Sequence, residues 1–225
     1  MNCAKEARKL ADYIISLGGT FQTYDVQSQF HYSHIGALYT DIILQAGLNY
    51  NSVVKPRVQK VLLDYPDANT VKRFKALIDQ EGLGNVINWK DEVKLDRFKL
   101  LIDFSIDNEI DNCVDLKTYL LKTINQKTFL KLKGVGPKTM DYLMKLLCFD
   151  TVAVDRHIYS FVQMAEINVE GYHVTKRVVE YAADFLQLSR TTVDYGIWKY
   201  MSDKKYRSVQ LDNQIEINFT ENENC

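Results

Sequence analysis

The sequence predicts an all-α protein built as a bundle of about ten short helices of the usual ~11–12 residues. Three observations carry this. Only three prolines interrupt 225 residues. Apolar residues recur at i, i+3, i+4 and i+7 through most of the chain. No βαβ alternation and no internal repeat appears. Apolar residues make up 46% and charged residues 25%, the composition of a soluble globular protein, and the length suffices for one core or two small ones. The net charge is −1, so a nucleic-acid partner would need a local basic patch.

The elements follow in order. Leu10, Ile14 and Leu17 mark a first helix, stopped by Gly18-Gly19. Its interspersed charges make it amphipathic and unlike a signal peptide. The stretch TFQTYDVQSQFHYS reads as an irregular loop with some strand, and its His31 and His34 form no metal pattern. Leu38, Ile42 and Ile43 give a second helix ending at Gly47. VVKPRVQKVLLDYP gives a third, with Pro56 in its first turn. Asn69 or Thr70 caps a fourth, which buries Val71, Phe74, Leu77 and Ile78. EGLGNVIN reads as a turn. From about Asp91 a helix turns Leu95, Phe98 and Ile102 inward, and Leu116, Leu120 and Leu121 mark another. Helices over 126–132, 137–148, 156–165, 174–187 and 191–203 complete the set. Val193, Trp198 and Met201 read as the buried face of the last, and Asp194 as a cap or brace there. Ile215, Ile217 and Phe219 alternate with polar residues, as a short strand or a loosely held acidic tail.

No run is long and apolar enough to span a membrane. Cys3, Cys113, Cys148 and Cys225 are far apart and lack zinc or iron–sulfur spacing. They point to a reducing, cytoplasmic compartment.

LKGVGPKT, residues 132–139, carries the most information. Phe129, Leu130 and Leu132 end one helix, KGVG turns the chain, and Pro137 opens the next, where its missing N–H costs nothing. Met140, Leu143, Met144 and Leu147 form the buried stripe of that second helix. Turn glycines can take positive φ and admit another backbone. The N–H groups opening the second helix, together with its dipole, suit an anion such as a DNA phosphate. Between Lys117 and Lys145 stand Lys122, Lys127, Lys131, Lys133 and Lys138, against Asp141 as the single acid. That basic window fits either a nucleic-acid-binding element or a solvated lysine face.

LKGVGPKTMDYL followed by VAVDRHI resembles the helix-hairpin-helix (HhH-GPD) DNA glycosylases of the endonuclease III superfamily. The match lies at Leu132, Gly134, Val135, Gly136, Lys138, Thr139, Val154, Asp155 and His157. It is strongest over 126–165 and extends over roughly 36–203 in helix order. The resemblance implies a two-lobed architecture. A helical lobe would span 20–125, the hairpin motif 126–148, a second lobe 1–19 with 149–205, and a tail or short strand 206–225. It implies DNA contacts from Leu132, Lys133, Gly134, Val135, Gly136 and Thr139, and catalysis by Lys138 and Asp155. ALYTDIILQAGLNYNSV falls where the family has an early core helix and a DNA-probing loop. The chain departs from the pattern in lacking a four-cysteine cluster loop, in carrying Lys133 where a proline is common, and in its short length.

Chain geometry permits Lys138 and Asp155 to share a site. A helix from Pro137 to Cys148 rises about 18 Å, and residues 149–154, if extended, span up to about 20 Å. Asp155 also has a plain reading as the N-cap of RHIYSFVQM, Lys138 as a phosphate-contacting lysine, and His157 as a structural residue near that helix start.

The expectation is therefore a monomeric base-excision glycosylase with associated lyase activity. It would act without cofactor or metal on double-stranded DNA containing a damaged base. The short, cluster-free design and VDRHI look like compact 8-oxoguanine glycosylases, with oxidised pyrimidines close behind. A monofunctional glycosylase for alkylated or mismatched bases, a non-catalytic hairpin DNA-binding protein, and a helical scaffold that binds no DNA are the alternatives.

Overall fold

The computed structural model of the protein describes residues 2–23 and 32–203. The expectations for His31, for the stretch from residue 206 and for Cys225 fall outside them. Among the described residues the regular elements are helices and there is no strand. They are α1 (Cys3–Ser16), α2 (Ile35–Leu44), α3 (Lys55–Asp64), α4 (Val71–Glu81), α5 (Leu83–Val86), α6 (Glu92–Asp107), α7 (Cys113–Leu120), α8 (Thr123–Phe129), α9 (Pro137–Leu146), α10 (Arg156–Met164), α11 (Tyr172–Leu186) and α12 over 190–203. No described helix is long and apolar enough to cross a membrane.

Short polar side chains set several of the boundaries. Asn2 starts α1, Thr70 starts α4, and Asp91 starts α6 by accepting the Lys94 N–H at 3.0 Å. Asn112 opens α7 in a reciprocal capping box with Asp115. Several features differ from the sequence reading. The expected turn EGLGNVIN contains α5, because Gly82 at φ +81 breaks α4 and the chain re-enters helix at once. A π-helical turn, Tyr50–Val54, precedes α3. Helix α8 begins and ends about three residues early. Its side-chain amides at Asn125 and Gln126 donate to the carbonyls of Tyr119 and Leu120, each at 2.8 Å, tying it to the end of α7. In α12 the buried residues are Thr191, Val193, Asp194, Gly196 and Ile197, while Trp198 is half-buried and lies tilted against Tyr195, their rings 5.7 Å apart.

Contacts among the described residues group them into two compact units, one holding 32–149 and the other 2–23 with 150–203. In the second unit α1 packs on α11, and Ala7, Leu10, Ala11 and Ile14 join Val178, Val179, Ala182 and Ala183 in its core. Phe161 of α10 meets the rings of Tyr13, Phe21 and Tyr200 at 5.4, 5.8 and 5.6 Å.

Helix α2 is the centre of the first unit. All ten of its residues are buried, so it is wrapped on every side and not amphipathic. It packs against α3, α4, α6 and α9. His34, which the sequence placed in a loop, is its N-cap. Nδ1 accepts the Ala37 N–H at 3.2 Å, so Nε2–H donates to the Tyr65 carbonyl at 3.0 Å. Burial depresses its pKa and keeps the imidazole neutral, against smaller opposing effects of hydrogen bonds.

Midway along α2, Asp41 is fully buried. Tyr32 and Tyr50 donate to its Oδ2 at 2.7 and 3.5 Å, and Tyr142 of α9 donates to Oδ1 at 2.9 Å. Burial pushes the carboxyl pKa up to about 6, while the three phenols pull the other way. Desolvation, with the Asp41 charge next, pushes the phenols upward too, so they act as donors. Between pH 4 and 6 the folded protein holds a proton that the unfolded chain, with its ordinary carboxyl near 3.8, releases. This carboxyl therefore stabilises the fold most at low pH, and up to about 3 kcal/mol is lost as pH rises through that window. The neutral His34 contributes with the opposite sign, present above its unfolded pKa and lost as pH falls. Melting wild type and Asp41→Asn from pH 4 to 7 isolates the carboxyl, because His34 is common to both. The wild type should lose stability relative to the variant from pH 4 to 6. Parallel pH profiles would show that Asp41 does not titrate in this way.

Candidate nucleic-acid interface

The basic window reaches the surface unevenly. Lys122, Lys127, Lys131 and Lys133 are exposed, Lys117 and Lys138 half-buried, and Lys145 buried. Lys117 Nζ stands 5.5 Å over the ring of Phe149. Among the described residues no carboxylate pairs with Lys122, Lys127, Lys131, Lys133 or Lys138. Their charge is therefore uncompensated locally.

Between α8 and α9 the chain turns over residues 130–136. The Leu132 N–H donates to the Phe129 carbonyl at 3.1 Å and the Val135 N–H to the Leu132 carbonyl at 3.0 Å. Leu132 packs against the core and Val135 lies within it, so these two anchor the turn and leave Lys133, Gly134 and Gly136 towards solvent. Gly134 sits at φ +90, a region that costs a side chain strain. A Cβ there would also fall 2.5 Å from Cδ and Nε of Arg97 on α6.

Gly136 differs. Its φ of −98 and ψ of 177 suit any residue, and a Cβ would meet nothing within 4 Å. Neither backbone conformation nor packing calls for glycine there. It is the N-cap of α9, no side chain caps that end, and Pro137 follows with no N–H to place. The Met140 N–H makes the bond to the Gly136 carbonyl at 3.0 Å. The amides of Gly136, Lys138 and Thr139 find no acceptor among the described residues. Three unpartnered donors thus stand at the positive end of the helix dipole, beside a residue with no side chain. Lys138 occupies the second helical position, and its Nζ makes no hydrogen bond or ion pair among the described residues. Thr139 is buried.

Asp155 lies in the other unit. It is half-buried, and its Oδ1 accepts the N–H groups of His157 and Ile158 at 2.9 and 3.1 Å. The plain capping reading thus describes one carboxylate oxygen. The segment leading to it is held by two further carboxylates. Asp194 Oδ2 accepts the Ala153 N–H at 2.7 Å, and Asp150 Oδ1 accepts the Thr191 N–H at 3.0 Å. Asp194 therefore braces the approach to Asp155. Residues 132–139 span the turn and the first residues of α9 within one unit, whereas Lys138 and Asp155 belong to different units.

Sequence reasoning passed over Arg97 and Lys94, both on α6. Lys94 Nζ closes the C-terminal end of α2 by donating to the carbonyls of Ile43 and Ala46 at 2.8 and 3.0 Å. Nothing in the linear pattern marks either residue. Asp41 did leave a signal, as a lone acid inside the apolar run ALYTDIIL.

No family model, no curated protein and no solved structure matches the chain.

The two turn glycines should separate in unfolding experiments. Gly134→Ala forces a side chain into positive φ and against Arg97, and should cost about 1–3 kcal/mol. Gly136→Ala loses only a tolerable N-cap and should cost under about 1 kcal/mol. Urea denaturation measures both, and equal losses would contradict the different roles given to the two positions.

Proposed function

We propose that the protein is a DNA glycosylase with an associated lyase activity, of the helix-hairpin-helix kind its 126–165 segment resembles. The observation that carries the reading is Gly136. Its lack of a side chain serves neither conformation nor internal packing, but it would let a phosphate reach the unpartnered amides of residues 136, 138 and 139. The exposed lysines at 122, 127, 131 and 133 supply charge around that point. Contacts of this kind fix position on the duplex without reading sequence.

The chemistry proposed for the site needs the damaged nucleotide swung out of the duplex, since C1′ of its sugar is inaccessible inside. As the base departs with the electrons of its glycosidic bond, the Asp155 carboxylate stabilises the positive charge developing at C1′. The Lys138 amine attacks C1′ and gives up a proton, and opening of the C1′–O4′ bond, with O4′ protonated, leaves a Schiff base. Loss of the C2′ proton then expels the 3′ phosphate by β-elimination and nicks the strand. The preferred substrate class is an oxidised base.

One observation favours a second reading. Oδ1 of Asp155 caps α10 through two N–H groups, as it would in a protein that binds DNA through the hairpin without catalysis. A glycosylase without lyase activity, in which Lys138 only touches phosphate, lies between the two.

Borohydride trapping on duplexes with an abasic site or an oxidised base separates the three readings. The wild type should form a covalent adduct and Lys138→Ala should not. Undiminished trapping by the alanine variant would remove Lys138 as nucleophile. Asp155→Asn should lower base excision at least 100-fold while duplex affinity changes less than threefold, on the scale of losing a principal electrostatic group. Binding without excision by the wild type across a lesion panel would favour the non-catalytic reading.

A further inference from the structure

Among the described residues nothing balances the charge of Arg97. Its Cδ and Nε lie 2.5 Å, and its Cγ 3.0 Å, from the point a Cβ on Gly134 would occupy. The stem of the side chain is therefore laid across the turn between α8 and α9. Its Nε is buried and donates to no acceptor among the described residues. Among the described residues no carboxylate or carbonyl is bonded to the rest of the guanidinium. The acids near it on α6 are otherwise engaged: Asp91 caps the helix through the Lys94 N–H, and Asp96 pairs with Lys99 at 3.3 Å. One turn back stands a second cation, Lys94. Desolvation first, and the Arg97 charge second, lower its pKa. A guanidinium cannot relieve such a situation by losing its proton, and an unpaired buried donor is costly. Arg97 nonetheless remains partly exposed, held by its stem beside the lysine-flanked turn.

We propose that Arg97 is a phosphate-positioning residue. Its guanidinium grips a phosphodiester of the DNA backbone next to the one at the amides of residues 136, 138 and 139. The planar fork of donors matches two phosphate oxygens at once. Gly134 admits it, because a side chain at 134 would occupy the same space. Together with Lys133 and Lys138, Arg97 extends the contact from the turn onto α6, so that two elements fix the register of one strand. This rests on the reading of the turn as a DNA interface.

The test is duplex binding by fluorescence anisotropy from 50 to 300 mM salt, using undamaged DNA and the full chain. Arg97→Met keeps the stem against Gly134 and removes the charge. It should bind about tenfold more weakly at 100 mM salt, with a slope of log affinity against log salt shallower by about one, the loss of one phosphate contact. Lys99→Met, on the same helix but paired with Asp96, should change the slope by less than half as much. Wild-type slope and affinity in Arg97→Met would overturn the proposal and leave Arg97 a packing residue. Should Arg97→Met not fold, Arg97→Lys decides: charge kept and fork lost should weaken binding two- to fivefold at unchanged slope, and unaltered affinity overturns the assignment. Salt-independent or negligible binding by the wild type would instead remove the DNA reading itself, and this proposal with it.

Discussion

The unit formed by residues 32–149 depends on the burial of one carboxylate in the middle of its central helix. Removing Asp41 from water is unfavourable, and three phenols make it tolerable. Those phenols come from different places: Tyr32 ahead of α2, Tyr50 in the π turn before α3, and Tyr142 on α9. Each can satisfy the carboxylate only from its own position. A polar requirement at one point therefore fixes the placement of three separate segments around α2, something apolar packing alone does less selectively.

This bears on the turn before α9. Tyr142 and Lys138 are four residues apart, neighbours along one side of the helix. Oδ1 of Asp41 holds the helix through Tyr142, while Val135 and Leu132 seat the turn ahead of it in the core. The amides of residues 136, 138 and 139 are thus presented by an element fixed at two points. Such preorganisation lowers the ordering cost of taking up a ligand. On the far side of the turn, Gly134 and Arg97 act as a matched pair, each occupying a geometry that the other permits.

Much of this was legible in the sequence, and the reasons divide cleanly. The helices were readable because α4, α6 and α9 have periodic apolar faces and because glycine and proline punctuate the chain. The turn between α8 and α9 was readable for the same reason, since KGVGPK concentrates the residues that end one helix and open another. Cases decided by tertiary partners were not readable. His34 looked like a loop residue because its capping bond depends on where α2 begins and its other nitrogen on Tyr65, thirty-one residues away. Helix α8 starts at a residue with no capping side chain, so its register is set by the carbonyls at the end of α7. Arg97 is one charged residue among many in α6, and only its contact with Gly134 distinguishes it. Gly134 and Gly136 look equivalent as letters, yet their backbone angles and surroundings give them unrelated reasons to be glycine.

The pairing of α1 with α11 has a consequence for how the chain is made. Residues 32–149 form one unit from a contiguous stretch that is complete before residues 150–203 are synthesised. Helix α1 leaves the ribosome first, but α11 follows more than 150 residues later. At a synthesis rate of about 5–20 residues per second, the face carrying Ala7, Leu10, Ala11 and Ile14 stays uncovered for roughly ten to thirty seconds. During that interval it is open to chaperones or to other nascent chains. Its closure joins segments far apart in the sequence, and such contacts are slow to form.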